Sequence, residues 1–271
     1  MIDKAVNDRL KEQYCPDGSN LRRAQLRMLD MLVYLDQVCR ANNIVYWLDS
    51  GTLLGAVRHG GFIPWDDDVD VCIDRRDAKK LKRAIIQTPH PDFVLQDRCT
   101  DKNHWREWFC LRDLKTEYIQ DSVFHNSQKF KGLQVDVFLM EHNVNHKLWR
   151  FSVKLYNLKL LLVEKRLFTL AAILHHFDES IVFPVLRFLA KLIDTGHRKD
   201  YHKVYGQVFD HYFPIDSVLP VKEMLFEGHP LYIPNDSASY LTESFGKDYM
   251  SLPSKEVLEK FNHRVEIVFK D

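Results

Sequence analysis

The chain has 271 residues, 45% of them hydrophobic and 28% charged, with 17 Phe, 11 Tyr and 5 Trp, a composition that excludes wholesale disorder and can fill a sizeable core. Lys and Arg number 38 and so do Asp and Glu, so no whole-molecule field draws in nucleic acid, and a generic nucleic-acid binder is excluded. Five cysteines (Cys15, Cys39, Cys72, Cys99, Cys110) without a C-x-x-C pair argue against a disulfide scaffold or a zinc ribbon and fit reduced thiols in the cytoplasm. The segment from Met1 to Leu10 is polar and lacks the apolar centre of a secretory signal, so export is not expected. No apolar run approaches the ~20 residues that span a bilayer.

In chain order, a Cys-Pro-Asp-Gly-Ser turn at 15–19 leads into apolar positions Leu21, Met28, Leu29, Leu32, Leu35 and Cys39 at helical steps, which predict an amphipathic helix ending near Asn42-Asn43. Ile44 to Asp49 reads as a short buried strand, followed by a tight turn at Gly51-Thr52 into a brief helix that Gly60-Gly61 and Pro64 stop. Strand character returns at Asp68 to Asp74, helical spacing at Arg76 to Gln87, and strands near 93–97, 105–113, 116–120 and 133–140. From 146 to 212 the spacing predicts helices, including Val182 to Ile193 and Tyr201 to Tyr212, with 11 Lys and Arg against 6 Asp and Glu. A turn-rich tail and a helix from Ser237, closed by Gly246, complete the chain. The expected class is α/β (α+β), with a mixed-sheet catalytic core over 1–145 and a mainly helical region over 146–271 that packs on it.

The stretch Trp65-Asp-Asp-Asp-Val-Asp-Val-Cys-Ile73 carries the chemistry. In a strand Val69, Val71 and Ile73 face one way and Asp68 and Asp70 the other, leaving two carboxylates on one face. Such a pair raises its own pKa values unless a cation neutralises it, and hard oxygen ligands suit Mg²⁺ or Mn²⁺. Gln134-Val-Asp-Val-Phe projects a third acid, Asp136, from a second strand between two inward valines. Two other readings stand beside this one: a solvated acidic turn, and a calcium loop, which Val71 in the glycine position disfavours.

Tyr46 to Val71, taken together as YWLDSGTLLGAVRHGGFIPWDDDVDV, resembles the signature of the LicD family, which is similar to the fukutin-related proteins of animals. Val135-Asp-Val-Phe138, Phe226-Glu-Gly228 and Phe245-Gly-Lys-Asp-Tyr-Met-Ser-Leu-Pro253 extend the resemblance over about 22–253, thinning between 146 and 220; Lys247 is an insertion in the last of these. The resemblance implies a nucleotidyltransferase-like fold in which Gly51-Thr52, Asp68-Val-Asp70 and Asp136 match the phosphate turn and the three acids. It further implies metal-dependent transfer of a phospho-alcohol, typically phosphocholine from CDP-choline or another CDP-alcohol, to a cell-surface glycan such as lipopolysaccharide or teichoic acid, or to its lipid-linked precursor.

On that reading Asp68, Asp70 and Asp136 are the metal ligands and catalytic acids, and Gly51 and Thr52 cradle a donor phosphate. Arg58 braces the leaving phosphate or makes a surface ion pair; Trp65 stacks on the donor or fills the core; Glu227 places a substrate or belongs to a hairpin turn marked by Gly228. The basic, apolar helices of 146–212 fit packing on the core or peripheral contact with anionic lipid at the inner face of the membrane. An Asp-x-Asp glycosyltransferase acting on a sugar nucleotide and a non-catalytic nucleotide- or glycan-binding subunit are the alternatives.

Overall fold

The computed structural model describes residues 1–193, 199–260 and 266–270. Its first helix, α1 (Lys4–Tyr14), is capped by the Asp3 carboxylate, which accepts from the Ala5 and Val6 amides; the sequence reading had no helix here. Helix α2 (Asn20–Ala41) begins where Ser19 Oγ accepts from the Arg22 amide and ends ahead of Asn43, whose φ of 49° breaks the helical path. Met28, Met31, Leu32 and Leu35 recur along its inner face and are wholly buried, each worth about 1.5–3 kcal/mol of transfer free energy. This face and the sheet form one continuous core.

Strand β1 (Tyr46–Leu48) runs into α3 (Ser50–His59), which Gly60 closes in the left-handed conformation. Strand β2 (Asp70–Asp74), α4 (Ala78–Gln87), β3 (Phe93–Gln96), β4 (Phe109–Asp113), β5 (Thr116–Ile119), α5 (Val123–Ser127) and β6 (Gln134–His142) follow. The central sheet has the order β1-β2-β6-β4-β3, with β2 and β6 parallel and the other pairs antiparallel. This is the mixed sheet of an α+β fold.

After β6 come α6 (His146–Glu164), α7 (Phe168–Phe177), a π-turn at Asp178–Val182 and α8 (Phe183–Leu192). The helix expected over Tyr201 to Tyr212 is not formed. Asp200–Lys203 is instead strand β7, antiparallel to the far end of β6, and pairs in turn with β8 (Phe213–Pro214), so both halves of the chain contribute to the sheet. The partner strand is distant in sequence, and tertiary pairing overrides the local spacing. The strand expected to begin at 105 starts only at Phe109, because the preceding residues turn toward α6 and α7. The chain ends with α9 (Ile215–Val218), the hairpin β9 (Lys222–Phe226) and β10 (His229–Ile233), α10 (Ser237–Phe245) capped by Gly246 as expected, α11 (Lys255–Lys260), and β11 (Glu266–Phe269) paired with β5. All five cysteines are free. No helix among the described residues is long and apolar enough to cross a membrane.

Candidate active site

The site forms where β1, β2 and β6 meet the start of α3. The Asp49 amide donates to the Asp70 carbonyl (3.0 Å), the Asp70 amide to Thr52 Oγ1 (2.9 Å) and the Asp136 amide to the Val69 carbonyl (2.9 Å). Alternation in β2 and β6 places Asp70 and Asp136 as register partners on adjacent parallel strands. Ser50 is held at φ 49°, in the left-handed region that non-glycine residues adopt only under constraint, and turns the chain sharply from β1 into α3.

A cavity of about 580 Å³ opens over this junction, within the size range of small-molecule sites. Asp49, Asp66, Asp68 and Asp70 wall one part of it, with Arg58 and Lys203 as cations, and Trp65, Phe209, Phe213, Phe245 and Tyr249 wall another. Burial, then the neighbouring charges of Asp68, Asp136 and Asp49, push the Asp70 carboxyl well above its usual range. Asp66 is raised likewise, by burial and by Asp68 and Asp67. The acids therefore outnumber the cations that the chain supplies to them.

Asp136 sits beside Asp70 but outside the cavity wall. Its Oδ1 accepts from Trp108 Nε1 (2.8 Å) and from the Cys110 thiol (2.8 Å), its Oδ2 from Gln134 Nε2 (2.7 Å), and Arg106 stands 3.9 Å away. Burial and Asp136 push the Cys110 thiol up, so it remains a donor. Four consecutive residues leading into β4 divide their contacts: Arg106 and Trp108 reach Asp136, whereas Trp105 stacks on Phe168 of α7 and Glu107 pairs with Lys159 of α6.

The other residues singled out from sequence fall as follows. A Cβ on Gly51 would come within 2.7 Å of Asp66 Oδ2, so any larger residue at the head of α3 displaces the Asp66 carboxylate. Thr52 spends its oxygen on the Asp70 amide. Arg58 is buried in the cavity wall, not in a surface ion pair; it donates to His59 Nε2 (2.9 Å) and to the Tyr249 and Ser251 carbonyls (3.1 and 3.0 Å). Burial and the adjacent Arg58 hold His59 at about 3, consistent with its accepting role. Trp65 is buried, edge-on to Tyr14, and also faces the cavity. Glu227 lies outside the wall at the β9–β10 turn, pairs with Arg22 (2.7 Å), accepts from the Phe62 amide (3.1 Å) and fills the space over Gly61.

Sequence reasoning gave no site role to Asp49, Lys203 or Asp248 of the wall, and the first two form a pair. Lys203, on β7, pairs with Asp49, touches Cys72 Sγ at 3.1 Å and lies 3.9 Å above the Phe138 ring. Burial opposes its charge, but Asp49 more than compensates and raises its pKa. Asp49 also accepts from Tyr240 Oη of α10 (2.7 Å), and Lys203 and Tyr240 hold its carboxyl below the usual range against the cost of burial. The Asp49 in Tyr-Trp-Leu-Asp-Ser-Gly was a signal in plain view; Lys203 was hidden by the mistaken helix.

A Gly51-Thr52 turn at the head of α3 thus stands ahead of Asp70, whose register partner Asp136 lies on the parallel neighbour β6, the arrangement that the family resemblance implies for a nucleotidyltransferase-like site. The comparisons agree: residues 43–185 match the family described as LicD/FKTN/FKRP, nucleotidyltransferase domain, and the chain belongs to that family. It is 28% identical over 254 residues to the lipopolysaccharide cholinephosphotransferase LicD of Haemophilus influenzae, covering 87% of this chain and 93% of that protein. A stretch of 45 residues, 17% of this chain and 9% of the relative, is 52% identical to the human ribitol 5-phosphate transferase FKRP. An uncharacterised Rickettsia prowazekii protein is 44% identical over 62 residues, 23% of each chain.

Proposed function

We propose that this protein transfers a phospho-alcohol, with phosphocholine from CDP-choline as the first candidate, to a glycan or its lipid-linked precursor. The observation that carries the reading is the cavity lined both by crowded carboxyls and by aromatic rings, in a chain aligned along nearly all of a cholinephosphotransferase. Aromatic faces suit a trimethylammonium group, and the acids suit a hard divalent cation.

Asp68, Asp70 and Asp136 would hold that cation, Mg²⁺ or Mn²⁺, which supplies Lewis-acid polarisation of the donor's phosphate oxygens. Their donor set fits it: all ligands are carboxylate oxygens, burial and crowding by other acids push the Asp70 carboxyl well above its usual range, which a bound cation would reverse, and Asp136 keeps lone-pair capacity on Oδ2. Arg58 faces the donor pyrophosphate, Gly51 and Thr52 shape the turn beneath it, and Trp65 stacks on the base or receives the alcohol, while Lys203 stays paired with Asp49. Glu227 acts at a distance, by fixing the Gly60-Gly61 turn through Phe62. An acceptor hydroxyl oxygen attacks the phosphorus that bears the alcohol, the bond from that phosphorus to the CMP oxygen breaks, CMP departs, and Asp136 takes the hydroxyl proton.

The test is nucleotide release from CDP-choline, CDP-ribitol, CDP-glycerol and sugar nucleotides, with Mg²⁺ and a lipid-linked glycan extract, beside Asp68→Asn. CMP release from CDP-choline, lost in the variant and with chelator, supports the proposal, and preference for CDP-ribitol moves the transferred group toward the ribitol 5-phosphate in the FKRP relative's name. UDP or GDP release replaces the reading with glycosyl transfer, and binding of a donor without any release replaces it with a non-catalytic subunit.

A further inference from the structure

Among the described residues, half of the 26 large apolar side chains that stand exposed fall between residues 151 and 193. They do not scatter there. Along α7, the π-turn and α8, Leu170, Ile173, Phe177, Ile181, Phe188 and Leu192 recur at steps of three, four or seven residues, which puts them on one flank of a nearly continuous helical path. Ile173 is 60% exposed, Phe188 61% and Leu192 68%. The opposite flank, with Ala171, His175, Phe183, Leu186 and Ala190, is buried, so core packing is already satisfied without the outer stripe. On α6, Phe151, Leu158 and Leu161 are exposed as well.

The charge around this apolar face is predominantly basic. Arg150, Lys154, Lys165, Arg166 and Lys191 are exposed on α6, the α6–α7 turn and α8, against Glu164 and Glu179. At the C-terminal end of α8, Arg187 and Lys191 join Arg75 and Arg76 around a pocket of about 220 Å³ in which the carboxylates are Asp74 and Glu141. Arg75 and Arg187 share Glu141 and Arg76 pairs with Asp74, so four cations against two acids leave a net positive pocket, next in sequence to Phe188 and Leu192. An apolar stripe edged by cations and a basic pocket is the chemistry of an interfacial helix on anionic lipid.

We propose that α6, α7 and α8 form a docking face for an anionic phospholipid surface, with the apolar stripe entering the headgroup–acyl boundary and the Arg75, Arg76, Arg187 and Lys191 pocket receiving a phosphate headgroup. The face lies on the surface and does not span the bilayer. It would bring the transfer site to a lipid-linked acceptor, but lipid binding itself requires neither donor nor turnover, so its failure is separate from failure of the transfer reading.

The experiment is sedimentation of the full chain with vesicles of phosphatidylcholine containing phosphatidylglycerol and with vesicles of phosphatidylcholine alone. The protein is expected to pellet with the first, less with the second, and less in high salt. Ile173→Glu/Phe188→Glu is expected to lower the bound fraction roughly tenfold or more, as two apolar anchors become charges. Lys165→Glu/Lys191→Glu is expected to weaken binding only to the anionic vesicles. Because all four side chains are exposed, the variants are expected to melt as the parent does by circular dichroism. A parent that stays in the supernatant with both vesicles, or folded variants that bind as it does, overturns the proposal. So does a parent dimer by light scattering that Ile173→Glu/Phe188→Glu dissolves, which would assign the face to a second copy.

Discussion

Two buried charge clusters lie on either side of the stretch 105–108, and they are resolved in opposite ways. Among the helices, Glu107 pairs with Lys159, Lys159 Nζ lies 2.7 Å from His175 Nδ1, and His175 reaches Glu179 at 3.4 Å. Although burial opposes ionisation, Lys159 and His175 hold Glu107 down at about 2. The Glu107, His175 and Glu179 ligand atoms all lie within 4.8 Å of one another, a spacing a metal could use, but the Lys159 ammonium already supplies the compensating charge. At the sheet, Lys203 is committed to Asp49, and Asp70 faces three other acids. A cluster that the chain neutralises itself belongs to stability, whereas carboxyls pushed up beside an open cavity mark a candidate binding site.

The largest effect expected from this contrast is at the sheet. Asp68→Asn or Asp70→Asn should lower CMP release by about three orders of magnitude or more, as loss of a charge that acts on the transition state does, while leaving the urea midpoint unchanged or higher. A midpoint that falls with activity would make these acids structural. At the helical cluster Lys159→Met strands Glu107 without its cation and should cost about 3–5 kcal/mol in urea denaturation. Retained stability there would remove the cluster from the account.

Asp178 sharpens the comparison, because it is a fully buried member of the helical cluster with no hydrogen-bond partner on either oxygen. Burial and then Glu107 raise its carboxyl to about 6. A carboxyl raised on folding favours the protonated form, so its penalty is present above pH 6 and is relieved as pH falls toward the unfolded value of about 4. Asp178→Asn should therefore stabilise the protein by roughly 2–3 kcal/mol at pH 8 and do little at pH 4, measured by urea midpoints at both. Equal effects at both pH values would refute the titration. Below that range Glu107 works with the opposite sign, its contribution disappearing between about pH 4 and 2. The smallest effect is at Tyr240→Phe, which removes a neutral donor from Asp49 and should cost about 1–2 kcal/mol with the Asp49–Lys203 pair kept.

Asp70 and Asp136 were legible because period-two alternation is local: valines on one side fix the aspartate on the other in both β2 and β6, whereas Asp68, expected on the same strand, lies in the irregular segment before β2 starts at Asp70. Their neighbourhood was legible too, since a glycine after a short apolar strand announces a turn. Lys203 was not, for Tyr-His-Lys has no decisive periodicity and is a strand only because β6 offers an edge. Nor could spacing tell which apolar helical residues face inward. Leu186 and Phe188 are equally apolar two positions apart, and only the packed structure shows one buried and the other in the open.

The residues from Trp105 to Trp108 join these regions. The helices hold Trp105 and Glu107, and the alternating Arg106 and Trp108 present their donors to the Asp136 carboxylate. The orientation of the third acid is thus not a property of its own strand alone. It is set jointly by a sheet and by helices that stand outside the cavity.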